Sequence, residues 1–109
     1  MRVLLIDDHS LFRRGMRLML RELMPELDVS DADGVEQALT LAGESFELLL
    51  LDLNMPGVNG LDALASVKHA FPDSIVVVIS GEDSASLIRD AIAAGAAGFI
   101  PKSAEPEVM

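Results

Sequence analysis

Leu48-Leu49-Leu50-Leu51-Asp52-Leu53-Asn54-Met55-Pro56 is the stretch on which the fold turns. Four leucines end in an acid, and Met55-Pro56-Gly57 follows. A short apolar run bounded by breakers predicts a strand buried on both faces. An acid placed where such a strand emerges stands at the carboxyl edge of a sheet. Open α/β sheets bind their ligands at that edge. Asp52 is therefore a candidate nucleophile, and the flanking sequence sets its surroundings.

Outward from this run, apolar segments alternate with helical periodicity. Arg2-Val3-Leu4-Leu5-Ile6 ends in Asp7-Asp8 and predicts a first buried strand. Ser10 to Met24 predicts an amphipathic helix with Ser10 as its cap. Leu11, Phe12, Gly15, Met16, Met19, Leu20 and Leu23 fall near one face, and Arg13, Arg14, Arg17 and Arg21 largely on the other. Met16, Met19 and Met24 are expected to pack in or beside the core. Pro25 stops the helix. Asp28 to Asp33 reads as a partly wet edge strand. Asp33-Gly34-Val35-Glu36 has capping-box spacing and opens a helix through Ala42, ended by Gly43. The central strand runs from Phe46 to Leu51. Asn59 caps a helix from Gly60 to about Ala70. Ser74 to Ile79 is rich in β-branched residues and predicts a strand buried on both faces. Ser84 to Ala94 is helical, and Gly98-Phe99-Ile100 is a last strand before Pro101-Lys102. The alternation implies a parallel, doubly wound α/β sheet covered on both faces.

Composition narrows the function. The 109 residues fit one domain, and half are apolar, which suffices for a core. Eighteen acids against eight Lys and Arg leave a net charge of -10, which disfavours nucleic acid and suits a cation or a basic partner patch. With no Cys there is neither a disulfide nor a thiolate metal site, which fits a cytoplasmic location. The apolar runs are too short to span a bilayer. Asp7-Asp8 interrupts any signal-peptide pattern.

In a parallel sheet Asp7, Asp8, Asp52, Ser80 and Lys102 all fall at carboxyl ends of strands. Each has an ordinary reading. Asp7-Asp8 could cap a helix, Asp52 and Ser80-Gly81 could be turn residues, and Lys102 a solvated loop lysine. His9 is read as a first-turn or surface residue rather than a metal ligand. The joint placement points elsewhere. Clustered carboxylates repel unless a hard divalent cation such as Mg²⁺ joins them. A carboxylate nucleophile, a metal, a hydroxyl at Ser80 and a cation at Lys102 suit phosphoryl transfer to Asp52.

These residues resemble the receiver domain of bacterial two-component response regulators. The match runs from Val3-Leu4-Leu5-Ile6-Asp7-Asp8-His9 through Leu51-Asp52-Leu53-Asn54-Met55-Pro56-Gly57 and Val78-Ile79-Ser80 to Phe99-Ile100-Pro101-Lys102-Ser103. Residues 7–15 and 94–103 resemble the LuxR/NarL-type subfamily. The resemblance implies a flavodoxin-like five-stranded sheet in the order 2-1-3-4-5, with residues 1–109 as one receiver domain. It implies that Asp52 accepts a phosphoryl group from a sensor histidine kinase. Asp8, Asp52 and the Asn54 backbone carbonyl would hold Mg²⁺, with Asp7 acting mainly through a water. Lys102 would contact the phosphoryl group, Ser80 would move to bond it, and Phe99 would turn with that movement. The resemblance further implies that Asn54 and Glu82 would tune dephosphorylation. A homodimer is a further partner the resemblance allows. DNA would be reached only through a C-terminal domain, not through this acidic chain.

Ser103 to Met109 reads as the cap and first turn of a fifth helix whose body is missing, which leaves three expectations: a receiver truncated before most of that helix, a second chain covering the apolar patch beside the last strand, or an exposed patch. Two rival functions remain at this point. One is a Mg²⁺-dependent phosphatase acting through an aspartyl phosphate, against which stands the lack of a second acid in Asp52-Leu53-Asn54. The other is a flavodoxin-like interaction module that is never phosphorylated, against which stand the five usable site residues. The reading is of a switch that at most catalyses its own phosphorylation and dephosphorylation, not of an enzyme with a separate substrate.

Overall fold

The computed structural model describes residues 1–53, 59–81 and 85–101. Five strands alternate with four helices: β1 (Arg2–Ile6), α1 (Ser10–Leu23), β2 (Asp28–Ala32), α2 (Val35–Leu39), β3 (Leu48–Asp52), α3 (Gly60–Ala70), β4 (Ile75–Ser80), α4 (Ala85–Ala93) and β5 (Gly98–Pro101). The strands form one parallel sheet in the order β2-β1-β3-β4-β5. This is the flavodoxin-like order that the resemblance implied.

The period-two alternation of the strands divides the core between the two faces of the sheet. Val3, Leu5, Val29, Leu50 and Ile79 pack on the α1 side with Met16, and Phe12, Met19 and Leu20 lie against them. Leu4, Ile6, Leu49, Leu51, Val76 and Val78 pack on the other side with Ala38 of α2, Leu64 and Val67 of α3, and Ala91 of α4. The leucines of β3 thus serve both layers, as expected of a central parallel strand.

Several element-level expectations are corrected. His9, not Ser10, is the N-cap of α1, with extended backbone, and Ser10 is already helical. The contact stripe of α1 is narrower than its apolar set. Leu11 is 82% exposed and Leu23 58% exposed, because Phe12, Met16, Met19 and Leu20 occupy the space above the sheet. Met24 is also exposed. Helix α2 stops at Leu39, not Ala42, and the capping box does not form. Gly34 is the N-cap and has no side chain to offer, while Gln37 Oε1 accepts the Asp33 N–H at 2.6 Å. Thr40 Oγ1 donates to the Gln37 carbonyl at 2.6 Å, a local bond that competes with continued helix.

The central strand begins at Leu48. Phe46 lies outside it but is buried, edge-on to Phe71 with ring centroids 6.0 Å apart. Ile75, at the amino end of β4, is 57% exposed, so that strand is buried on both faces only farther along. Two other expectations hold. Asn59 Oδ1 accepts from the amides of Leu61 (3.0 Å) and Asp62 (3.1 Å), capping α3. Gly95, just past α4, has φ of 110°, the left-handed conformation that ends helices. Among the described residues no helix is long and apolar enough to cross a membrane.

Candidate functional site

Register brings the acids together. Ile6 pairs with Leu51, so Asp7 and Asp52 leave adjacent strands side by side. Asp52 pairs in turn with Ile79, and Ser80 is the next residue of β4. Asp7, Asp52 and Ser80 are all fully buried. The Asp7 amide donates to the Ala32 carbonyl at 3.1 Å, which ties the turn after β1 to β2. The Leu53 amide donates to the Ile79 carbonyl at 3.0 Å and continues the ladder one residue past Asp52.

Position 60 shapes the wall behind this edge. A Cβ on Gly60 would lie 2.8 Å from the Leu53 carbonyl oxygen, so only glycine lets the start of α3 approach the residue after Asp52 this closely.

One donor atom from each of Asp7, Asp8, His9 and Asp52 fits within a span of 4.8 Å. His9 Nδ1 lies 3.0 Å from Asp7 Oδ1, 3.2 Å from Asp8 Oδ1 and 3.5 Å from Asp52 Oδ2. The His9 amide also donates to Asp7 Oδ1 at 2.8 Å. Three carboxylates around one point suit a hard cation. Two of them are wholly buried on a rigid sheet edge, and Asp8 stays exposed toward solvent. The donor set therefore fits Mg²⁺.

For His9 the sequence predicts a first-turn or surface role rather than ligation, and His9 is the N-cap of α1. His9 is indeed half-exposed, but its ring is turned onto the acids. Arg13, expected on the face of α1 away from the core, is corrected by the structure. Its side chain is only 19% exposed and turns back toward the sheet, with Nη1 donating to the Asp7 carbonyl oxygen at 2.6 Å. Arg17 likewise turns to Asp31, at 3.2 Å. The signal for both lay in Asp31, an acid on an edge strand within reach of two arginines one helical turn apart.

Phe99 sits in β5 opposite Val78 and packs, half-buried, against the α3–α4 side of the core. Pro101, opposite Ser80, ends β5. Lys102, Asn54 and Glu82 lie outside the described residues. A groove of about 510 Å³ lies along α1 and β2, lined by Ser10, Arg13, Arg14, Arg17, Arg21 and Asp31 among others, and not over the acids.

Comparison with known proteins adds the family. Residues 3–109 match the model of the response regulator receiver domain. The chain is 37% identical over 110 residues to a glycerol metabolism activator of Pseudomonas putida, covering 99% of this chain and 50% of that protein. It is 38% identical over 108 residues to the nitrate/nitrite response regulator protein NarL of Escherichia coli, covering 96% and 49%. The chain thus spans about half the length of these curated relatives. Among solved structures it is similar to a LuxR family DNA-binding response regulator from Silicibacter pomeroyi, with a TM-score of 0.86 and 40% identity over 98% of this chain and 83% of the other. It is also similar to a response regulator from Burkholderia pseudomallei, solved with a phosphorylated aspartic acid, a calcium ion and citrate. There the TM-score is 0.83 and the identity 30%, over 98% and 62%. A sheet of this order, an acid cluster at its carboxyl edge and a family match over nearly the whole chain lead to one conclusion: the chain belongs to the response regulator receiver domain family, and its relatives include regulators of the LuxR/NarL type.

Proposed function

We propose that residues 1–109 form a phosphorylation-dependent signalling switch with Asp52 as phosphoacceptor. The observation that carries this is the convergence of Asp7, Asp8, His9 and Asp52 at the ends of β1 and β3, within 4.8 Å. The phosphorylated aspartic acid and calcium ion of the Burkholderia pseudomallei relative support it. An Asp52 carboxylate oxygen attacks the phosphorus of a phosphohistidine on a sensor kinase. The P–O bond forms, the P–N bond breaks, and the imidazole nitrogen leaves with its electron pair. Asp7, Asp8, Asp52 and the Asn54 backbone carbonyl would hold Mg²⁺, which supplies charge neutralisation at the transferring phosphoryl oxygens.

The chain's own residues do the rest. The β3 ladder holds Asp52 at the edge, Lys102 neutralises the phosphoryl group and Ser80 donates a hydrogen bond to it. The new charge and acceptor oxygens draw Ser80 inward, Phe99 turns into the space released, and the α4–β5 surface changes. Asn54 and Glu82 tune the return reaction. The readout is control of transcription through a DNA-binding portion of a longer cytoplasmic protein, consistent with relatives about twice this length. Dimerisation of the phosphorylated form belongs to the same proposal.

Intact-mass measurement after incubation with Mg²⁺ and a small phosphodonor tests it. Wild type gains one phosphoryl group, and Asp52→Ala gains none. A wild-type chain of unchanged mass overturns the reading.

A further inference from the structure

Arg13 reaches back from the second turn of α1 to the loop that carries the acids. Its Nη1 donates to the Asp7 carbonyl oxygen at 2.6 Å. Its Nε lies 3.5 Å from Asp31 Oδ2, an ion pair between α1 and β2 without a hydrogen bond. Asp7 is thereby held at three atoms. Its amide donates to the Ala32 carbonyl, its carbonyl oxygen accepts from Arg13 Nη1, and its Oδ1 accepts from the His9 amide. A guanidinium is always charged and holds its donors in a rigid plane, so it fixes an acceptor more firmly than a neutral donor does.

The same charge stands close to a cluster built for a cation. By Coulomb repulsion alone Arg13 weakens cation binding. Its geometric action runs the other way, because Asp7 and Asp8 converge with Asp52 only if the turn after β1 keeps its shape. We propose that Arg13 is a positioning residue that orders the Asp7-Asp8 turn for divalent-cation binding. The proposal rests on the reading of the acid cluster as the metal site.

The two effects predict opposite signs, so one titration separates them. Mn²⁺ is used as the probe, with binding to the full chain followed by electron paramagnetic resonance. Exchange of the His9 amide is measured in the metal-free protein. In Arg13→Gln, Mn²⁺ binding weakens roughly tenfold, at the lower end of what losing a partner behind a metal ligand costs, and His9 exchange accelerates. Arg17→Gln removes the same charge and pairs with the same Asp31, but has no bond to Asp7. Its affinity for Mn²⁺ stays level or tightens. Arg13→Lys keeps the charge and one donor, and falls between wild type and the glutamine variant. It also carries the test if Arg13→Gln does not fold. In that case equality with wild type in both affinity and exchange overturns the proposal. So does an Arg13→Gln variant that binds Mn²⁺ as tightly as wild type or more tightly, or an Arg17→Gln variant that weakens binding equally. A wild-type chain that does not bind Mn²⁺ overturns the metal reading instead, and the His9 exchange rate alone then decides whether Arg13 orders the turn.

Discussion

Asp7 and Asp52 are buried without solvent contact, yet each follows an apolar strand whose pattern announces where it must end. That is why the acids and Ser80 were legible in the linear sequence. A run of β-branched or leucine residues that stops at a polar one marks a strand end, and in a parallel sheet all such ends share an edge. His9 and Arg13 were not legible in this way. Helical periodicity reports which side of a helix a Cα faces, not where a long side chain turns back. A different residue-scale prediction concerns Glu47. The Arg2 backbone amide donates to its carboxylate and holds it below the usual carboxylate range, with a favourable contribution from the Arg2 charge. A depressed folded-state pKa contributes stability that is present above the unfolded value and is lost as pH falls through the folded one. Acid unfolding followed by circular dichroism should therefore show a shallower acid limb for Glu47→Gln than for wild type. An identical limb would remove Glu47 from the account.

Among the elements, α3 is the one the sequence described best and α2 the one it described worst. Asn59 had a local job, accepting two first-turn amides, and local jobs are written in local sequence. Helix α2 failed because its capping-box spacing met competing local bonds from Gln37 and Thr40, and because Gly34 has no side chain to cap with. Gly60 shows tertiary context overriding helix propensity. In an isolated helix Gly→Ala gains about 1 kcal/mol. Here the added methyl would sit 2.8 Å from the Leu53 carbonyl oxygen and 3.0 Å from its Cβ, and neither can swing away as a flexible side-chain tip can. The strain of such overpacking, about 1–3 kcal/mol, outweighs the gain. Gly60→Ala should lower the urea midpoint, and a raised midpoint would show that α3 can slide away from β3.

For the whole molecule, charge is the feature with the widest reach. The net charge of -10 is spread over a chain of 109 residues, so the folded state works against its own repulsion. Among the described residues, ion pairs of Arg2 with Glu44 and Asp28 and of Arg13 and Arg17 with Asp31 relieve this locally. Screening should therefore stabilise the fold. Raising the salt from about 0.01 M to about 0.15 M shortens the Debye length from about 30 Å to about 8 Å, and the melting temperature should rise. A fall in melting temperature would mean that the surface ion pairs outweigh the general repulsion.

The alternation of strands and helices, the leucine mount of Asp52 and the acids that terminate the strands are written in the linear chain. Those properties depend on hydrophobic period and on breakers within a few residues of each other. Which side chains close around the acids follows from how the elements pack. The parallel pairing of β1 with β3 sets Asp7 beside Asp52. The packing of α1 against the sheet lets Arg13 reach the Asp7 carbonyl and turns His9 onto three carboxylates. Those contacts join residues whose proximity no local period encodes, because they arise where separate elements meet.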